Sequence, residues 1–259
     1  MRQLLLLFVL ALPLLSQEQF AYANRGGQPL VLDYHKPASH PPQPVVILIH
    51  NGDFTSGGNR SPLMLHLAGR LRAAGLAVFS INYRLAPAHP FPAAVEDVAA
   101  AAQWVRAHTR KFRIDSRRIV LAGVGAGGYL ATAAAAGGTE AAGVIAIAAW
   151  SDFRNQPLTD SLRSFLGPVG VEEASPALHL HERLPPFLLL HGDEDASVPA
   201  SQSVHLQGAL HALGIPCSLI LLEGGGHDPL TWNGAAIRRD WERELLLWLD
   251  RTFAIHRPR

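Results

Sequence analysis

The chain has 259 residues, 48% hydrophobic and 17% charged, with a formal net charge of +1. That balance excludes an intrinsically disordered chain and supplies enough apolar residues for one large core. No basic cluster stands out, which excludes nucleic acid as an expected partner, and a single cysteine, Cys217, excludes an internal disulfide.

In chain order, Met1-Arg2-Gln3 puts a positive charge ahead of the apolar run Leu4–Leu15. A polar segment then ends in Ala21-Tyr22-Ala23, the small-x-small pattern that precedes a signal-peptidase cut. The run falls short of the ~20 residues that a lasting membrane span needs. The expectation is therefore a signal peptide over residues 1–23 and a single domain over residues 24–259. That implies a periplasmic or secreted protein without a membrane anchor after cleavage.

Pro29–Pro37 reads as an opening strand, and Pro44–Ile49 as a continuous apolar strand of the kind buried in a parallel sheet. Ser61–Ala74 has helical spacing and Leu76–Tyr83 is again a strand. Ala93–His108 is helical, Arg118–Ala122 extended, and a small-residue helix opens at Ala126. Strands at Val144–Ala149, Phe187–Leu190 and Ser218–Leu222 follow, with helices at Ser201–Leu213 and Ala235–Phe253. Such alternation predicts an α/β fold: a mostly parallel central sheet with helices on both faces. Only residues 152–185, rich in Pro, Ser and Arg, break the rhythm, and they are expected to form a small lid or cap.

The turn Gly123-Val124-Gly125-Ala126-Gly127-Gly128 joins a strand to a helix. Gly123, Gly125 and Gly128 satisfy the G-x-G-x-x-G spacing of dinucleotide sites. That motif normally follows a first strand and precedes an acidic residue at the end of the next. Here at least three strands come first, and Glu140 precedes its strand. The same place carries G-x-S-x-G in α/β-hydrolases, where a strained turn exposes the nucleophile.

Four further stretches accompany this turn: His50-Asn51-Gly52-Asp53-Phe54; Asn82 to Asp97; His191-Gly192-Asp193-Glu194-Asp195 with Val198-Pro199; and Gly224-Gly225-Gly226-His227. Together they resemble, in order, the oxyanion loop, the stretch after it, the elbow, the acid loop and the histidine loop of esterase- and lipase-type α/β-hydrolases. The likeness is closest to small carboxylesterases and acetyl- or feruloyl-esterase-like members. It implies an α/β-hydrolase fold, Asp195 as catalytic acid, His227 as base, and the N–H groups of Gly52, Asp53 and Ala126 as oxyanion hole. It implies no cofactor and no metal, and a small-molecule or carbohydrate ester as partner.

The sequence departs from the pattern at Gly125, which stands where the nucleophilic serine is expected. Asn51 and Asp53 also replace customary glycines. Three functions follow: an esterase-like protein without covalent catalysis, a hydrolase using water or another nucleophile, and a dinucleotide-binding protein. His179-x-His181 lacks the third ligand a metal site needs. Cys217 reads as packing, Ser80 and Ser151 sit at strand ends, and Asp193 and Glu194 neighbour the proposed acid.

Overall fold

A computed structural model describes residues 17–37, 43–232 and 239–253. Its sheet has eight strands: β1 (Gln17–Arg25), β2 (Gln28–His35), β3 (Gln43–Ile49), β4 (Ala77–Ile81), β5 (Ile114–Val124), β6 (Gly143–Ile147), β7 (Phe187–Gly192) and β8 (Cys217–Leu222). They lie in the order β1-β2-β4-β3-β5-β6-β7-β8. β3 to β8 are mutually parallel, while β1 and β2 run antiparallel at one edge. Every residue of β3, β4, β6 and β7 is buried. That is why these segments read as unbroken apolar runs rather than alternating ones.

Among the described residues there are seven α-helices: α1 (Pro62–Ala73), α2 (Ala93–Ala107), α3 (Thr109–Phe112), α4 (Ala126–Ala136), α5 (Asp160–Leu166), α6 (Ser201–Ala212) and α7 (Trp241–Phe253). Ser61 caps α1 through Met64 N–H, and Pro62 takes the first helical position, where a missing N–H costs nothing. Val46 and Leu48 of β3 pack with Leu63, Leu67 and Leu71 of α1 and with Trp241, Leu245, Trp248 and Leu249 of α7. The alternate residues Val45, Ile47 and Ile49 face the other core, with Val98, Ala102 and Val105 of α2 and Leu130 and Ala134 of α4. The expected two-layered covering is what the chain adopts.

The segment expected to end in a cleavage point overlaps the first described strand. Ala23, the proposed cleavage point, lies inside β1, which pairs along β2 from Gln17 opposite His35 to Arg25 opposite Gln28. Tyr22 is buried and its hydroxyl donates to the Asn82 carbonyl at 2.6 Å. Gln17 and Gln19 donate to the buried Asp33 carboxylate, which Arg60 also grips at 2.6 and 2.8 Å. Cutting after Ala23 would remove most of this strand and two donors to a buried charge. Residues 1–16 and the expected helix start at Ala235 lie outside the described residues.

The expected lid contains α5 and a short 3-10 turn at Pro176–Leu178. It is anchored on the body: Phe165 stacks on Phe54 with ring centroids 3.9 Å apart, and the Tyr129 hydroxyl donates to Ala174 O at 2.6 Å.

Candidate active site

The C-terminal ends of β3, β5, β7 and β8 carry the residues singled out above. At the β5–α4 turn, Gly125 adopts φ 54° and ψ −117°, a conformation that L side chains rarely take. Its N–H donates to Ile147 O at 2.8 Å and its carbonyl accepts from Tyr129 N at 3.1 Å, so neighbouring backbone holds the turn.

The glycines of this turn are present for different reasons. A Cβ built on Gly123 would lie 2.2 Å from the Gly127 carbonyl carbon, and one on Gly127 would lie 2.1 Å from Ile49 O. One on Gly128 would meet Ala149 Cβ at 2.8 Å. These three let strand and helix backbones approach. A Cβ on Gly125 would meet nothing closer than His227 Nε2 at 3.5 Å, Asn51 Cβ at 3.6 Å and His227 Cε1 at 3.8 Å. Packing accounts for Gly123 and Gly128 without a nucleotide, and Gly125 faces an imidazole.

That imidazole is fixed from behind. His227 Nδ1 donates to Asp195 Oδ2 at 2.7 Å, which leaves Nε2 directed toward Gly125. Asp195 also accepts through Oδ1 from the N–H groups of Ser197 and Val198, both at 2.8 Å. Burial alone would raise its pKa, but the donors from His191, His227 and Val198 hold the carboxyl well below its usual range. For His227, burial works against the charged form. The bond and charge of Asp195, with Asp53 and Asp228 adding their fields, leave its pKa raised above 6.5.

The acid and histidine loops brace one another. A Cβ on Gly192 would strike Gly225 O at 2.1 Å, so the two loops touch backbone to backbone. Asp193 Oδ1 accepts from Gly224 N at 2.7 Å, and Glu194 N donates to Gly225 O at 3.0 Å. Asp193 therefore holds the histidine loop, and Asp195 is the carboxylate that reaches the ring.

At the end of β3, Gly52 has φ 128° and a Cβ there would lie 2.2 Å from Ser56 O. Asp53 and Phe54 follow at φ 50° and 64°. This sharp loop is pinned by Thr55 N and Ser56 N donating to Gly52 O. His50 beneath it stacks on Tyr83, and burial pulls its pKa down to about 4. Ala126 opens α4 as its first residue, where an N–H has no partner within the helix. The Asp53 side chain is exposed, and its charge is felt at both His227 and Tyr83.

Sequence reading missed His191 and Ser203. His191 is fully buried; its Nε2 donates to Val198 O at 2.9 Å and lies 3.3 Å from Asp195 Oδ2, while Nδ1 sits 2.7 Å from Ser203 Oγ. The motif's first histidine was on view, but nothing in it announced contact with the acid four residues on. Other candidates lie elsewhere. The Ser80 hydroxyl donates to Asn59 O and that of Ser151 to Gln202 O. Cys217 begins β8, at the opposite end of the strand from the His227 loop, and burial pushes its thiol up to about 12. His179 Nε2 is bonded to Glu172 O.

Comparison with known proteins bears on the family and the fold. The family model described as BD-FAE matches residues 32–161 and 163–210. Esterase LipC of Mycobacterium tuberculosis is 29% identical over 222 residues, covering 75% of this chain and 55% of its own length. The gibberellin receptor of Arabidopsis thaliana is 37% identical over 116 residues, 43% of this chain and 33% of its own. An acetyl ester-xyloside bifunctional hydrolase from Caldicellulosiruptor lactoaceticus superposes with a TM-score of 0.81 at 22% identity, covering 90% of this chain and 96% of that one. The chain spans about half the length of the curated relatives it matches. The fold is that of the α/β-hydrolases.

Proposed function

The chain belongs to the BD-FAE family, within the esterase and lipase type of α/β-hydrolases, and from that premise we propose that it keeps an ester-binding crevice with its acid–base pair but without the serine nucleophile. One observation carries this reading. A side chain at Gly125 would emerge 3.5 Å from the Nε2 that Asp195 directs toward it, with no backbone in the way. That is the place from which a seryl oxygen would give its proton to imidazole and attack a carbonyl.

In this reading the N–H groups of Gly52, Asp53 and Ala126 face the carbonyl oxygen and act on the charge that develops there. No acyl-enzyme forms, because glycine offers no oxygen to carry the acyl group. Ester binding with slow hydrolysis by water activated at His227 is what remains. Relatives that include both an esterase and a receptor support a fold able to serve either end. The ester would be a short carboxylic ester or a carbohydrate ester. Export through the Leu4–Leu15 run belongs to the same proposal, with processing ahead of Gln17 because Gln17–Arg25 is strand.

The test is turnover of short-chain p-nitrophenyl esters and acetylated sugars by the natural chain and by Gly125→Ser. Near-background turnover in the first and a rise of about 10³-fold or more in the second is the expected result. Robust turnover by the natural chain, abolished by His227→Ala, would overturn the loss of catalysis.

A further inference from the structure

We infer that the space between Gly125 and His227 is an acceptor site for the hydroxyl of a small primary alcohol, and that the chain transfers acyl groups from a bound ester directly to it. This rests on the preceding reading of the crevice and adds an activity to it. Glycine differs from serine by one carbon and one hydroxyl, and the first of these, the β-carbon, would fit beside Gly125 without displacing a neighbour. The nearest atoms to a built Cβ stand at 3.5, 3.6 and 3.8 Å, all ordinary contact distances, and all belong to the side chains of His227 and Asn51. The same construction at Gly123, Gly127 or Gly128 runs into neighbouring atoms at 2.1 to 2.8 Å. The space is therefore local to one residue, beside the nitrogen that would take the proton.

The base is also in the right state. With Nδ1–H committed to Asp195 at 2.7 Å, neutral His227 has its lone pair on Nε2. The ring is 28% exposed, so a small molecule reaches it from solvent. Asp195 then stabilises the imidazolium that forms.

The step balances without any further reagent. The alcohol oxygen attacks the ester carbonyl carbon as its proton passes to Nε2, and the carbonyl electron pair moves onto oxygen. When that pair returns, the bond to the original alkoxy group breaks, and the proton goes from Nε2 to the departing alkoxide. One ester and one alcohol enter, and one ester and one alcohol leave. Binding the acceptor beside the carbonyl supplies the proximity that a covalent serine would otherwise provide, though less completely.

The experiment incubates the full chain with p-nitrophenyl acetate and increasing methanol, measuring p-nitrophenol release and methyl acetate. Methyl acetate formation that saturates with methanol, about tenfold or more above His227→Ala, is expected from general-base assistance. Ethanol should serve less well and tert-butanol not at all. Gly125→Ala, whose methyl group enters the space, should lower the methanol-dependent rate by about tenfold, an estimate for losing the acceptor's place beside the base. Should that variant not fold, the alcohol size series still decides. Formation that is linear in methanol and equal in the natural chain, His227→Ala and buffer overturns the inference. If Gly125→Ser is an active esterase while the natural chain ignores methanol, this inference falls and the crevice reading stands. If both are inert, the two fall together.

Discussion

The site divides into two halves that have fared differently. The half built by the loops after β7 and β8 is complete: Asp195 takes four donors, Asp193 and Glu194 tie its loop to Gly224 and Gly225, and His227 is aimed at the elbow. The half built by the ends of β3 and β5 keeps its backbone path but not its side chains. Gly125, Asn51 and Asp53 stand where a serine and two glycines are expected. The difference teaches that the acid–histidine pair has a structural reason to persist on its own. Asp195 braces its own loop through Ser197 and Val198 N–H groups whether or not a nucleophile faces the ring.

The comparison breaks most decisively on His227. In a Gly125→Ser background, His227→Ala should return turnover to the level of the natural chain, erasing the whole gain. Nucleophile and base act as one unit, and losing either costs on the order of 10⁶ in a serine hydrolase. A gain that survived His227→Ala would mean the complete half is ornamental. Asp195→Asn in the same background should remove most of the gain, because the amide favours the wrong imidazole tautomer. The pH profile carries the same information. Activity needs neutral His227, and its pKa is raised above 6.5, so turnover of Gly125→Ser should rise with pH through a midpoint above that value.

Stability separates the glycines of the altered half. Gly125→Ser introduces a side chain at φ 54° without a clash, so strain of about 1–3 kcal/mol is expected, read as a lower urea midpoint. Gly127→Ala forces a Cβ to within 2.1 Å of Ile49 O and should cost more, because backbone must move. Equal losses would refute the distinction drawn between them.

The pairing of Asp195 with His227 was legible through the resemblance of their loops to the acid and histidine loops of α/β-hydrolases. The sheet was legible too, since strands buried on both faces write themselves as apolar runs such as Val45 to Ile49. Two things were not. β1 alternates Phe20 and Tyr22 among polar residues directly after an apolar leader-like run, so its pairing with β2 was masked by a cleavage pattern. His191 looked like a motif letter, since its contact with Asp195 depends on how the loop folds back, which no spacing records.

The altered half also offers a milder test. Asp53 is exposed at φ 50° in the loop whose N–H groups would hold the carbonyl oxygen, its charge reaches His227, and on the proposed reading it opposes the negative charge that develops there. In the Gly125→Ser background, Asp53→Gly should raise kcat by about tenfold at low salt and by less at high salt, as screening already weakens an exposed charge. A fall in kcat would mean Asp53 helps orient His227.

The smallest effect probes how the complete half is held. His191 has both ring nitrogens engaged: Nε2–H donates to Val198 O and toward Asp195, so the Ser203 hydroxyl must donate to Nδ1. Removing that donor with His191→Phe leaves Asp195 less stabilised as an anion and a stronger partner for the His227 imidazolium. The His227 pKa should then rise, read as a higher midpoint in a histidine NMR titration. Asp53 and Asp228 also face this ring and are unchanged by the substitution, so they do not obscure the shift. His191→Gln, which keeps an N–H near the same place, should restore the original value. Nitrogen shifts of the natural protein give an independent check that needs no variant to fold. They should show His191 protonated on Nε2 alone, and protonation on Nδ1 would mean the ring turns its lone pair, not a donor, toward Asp195.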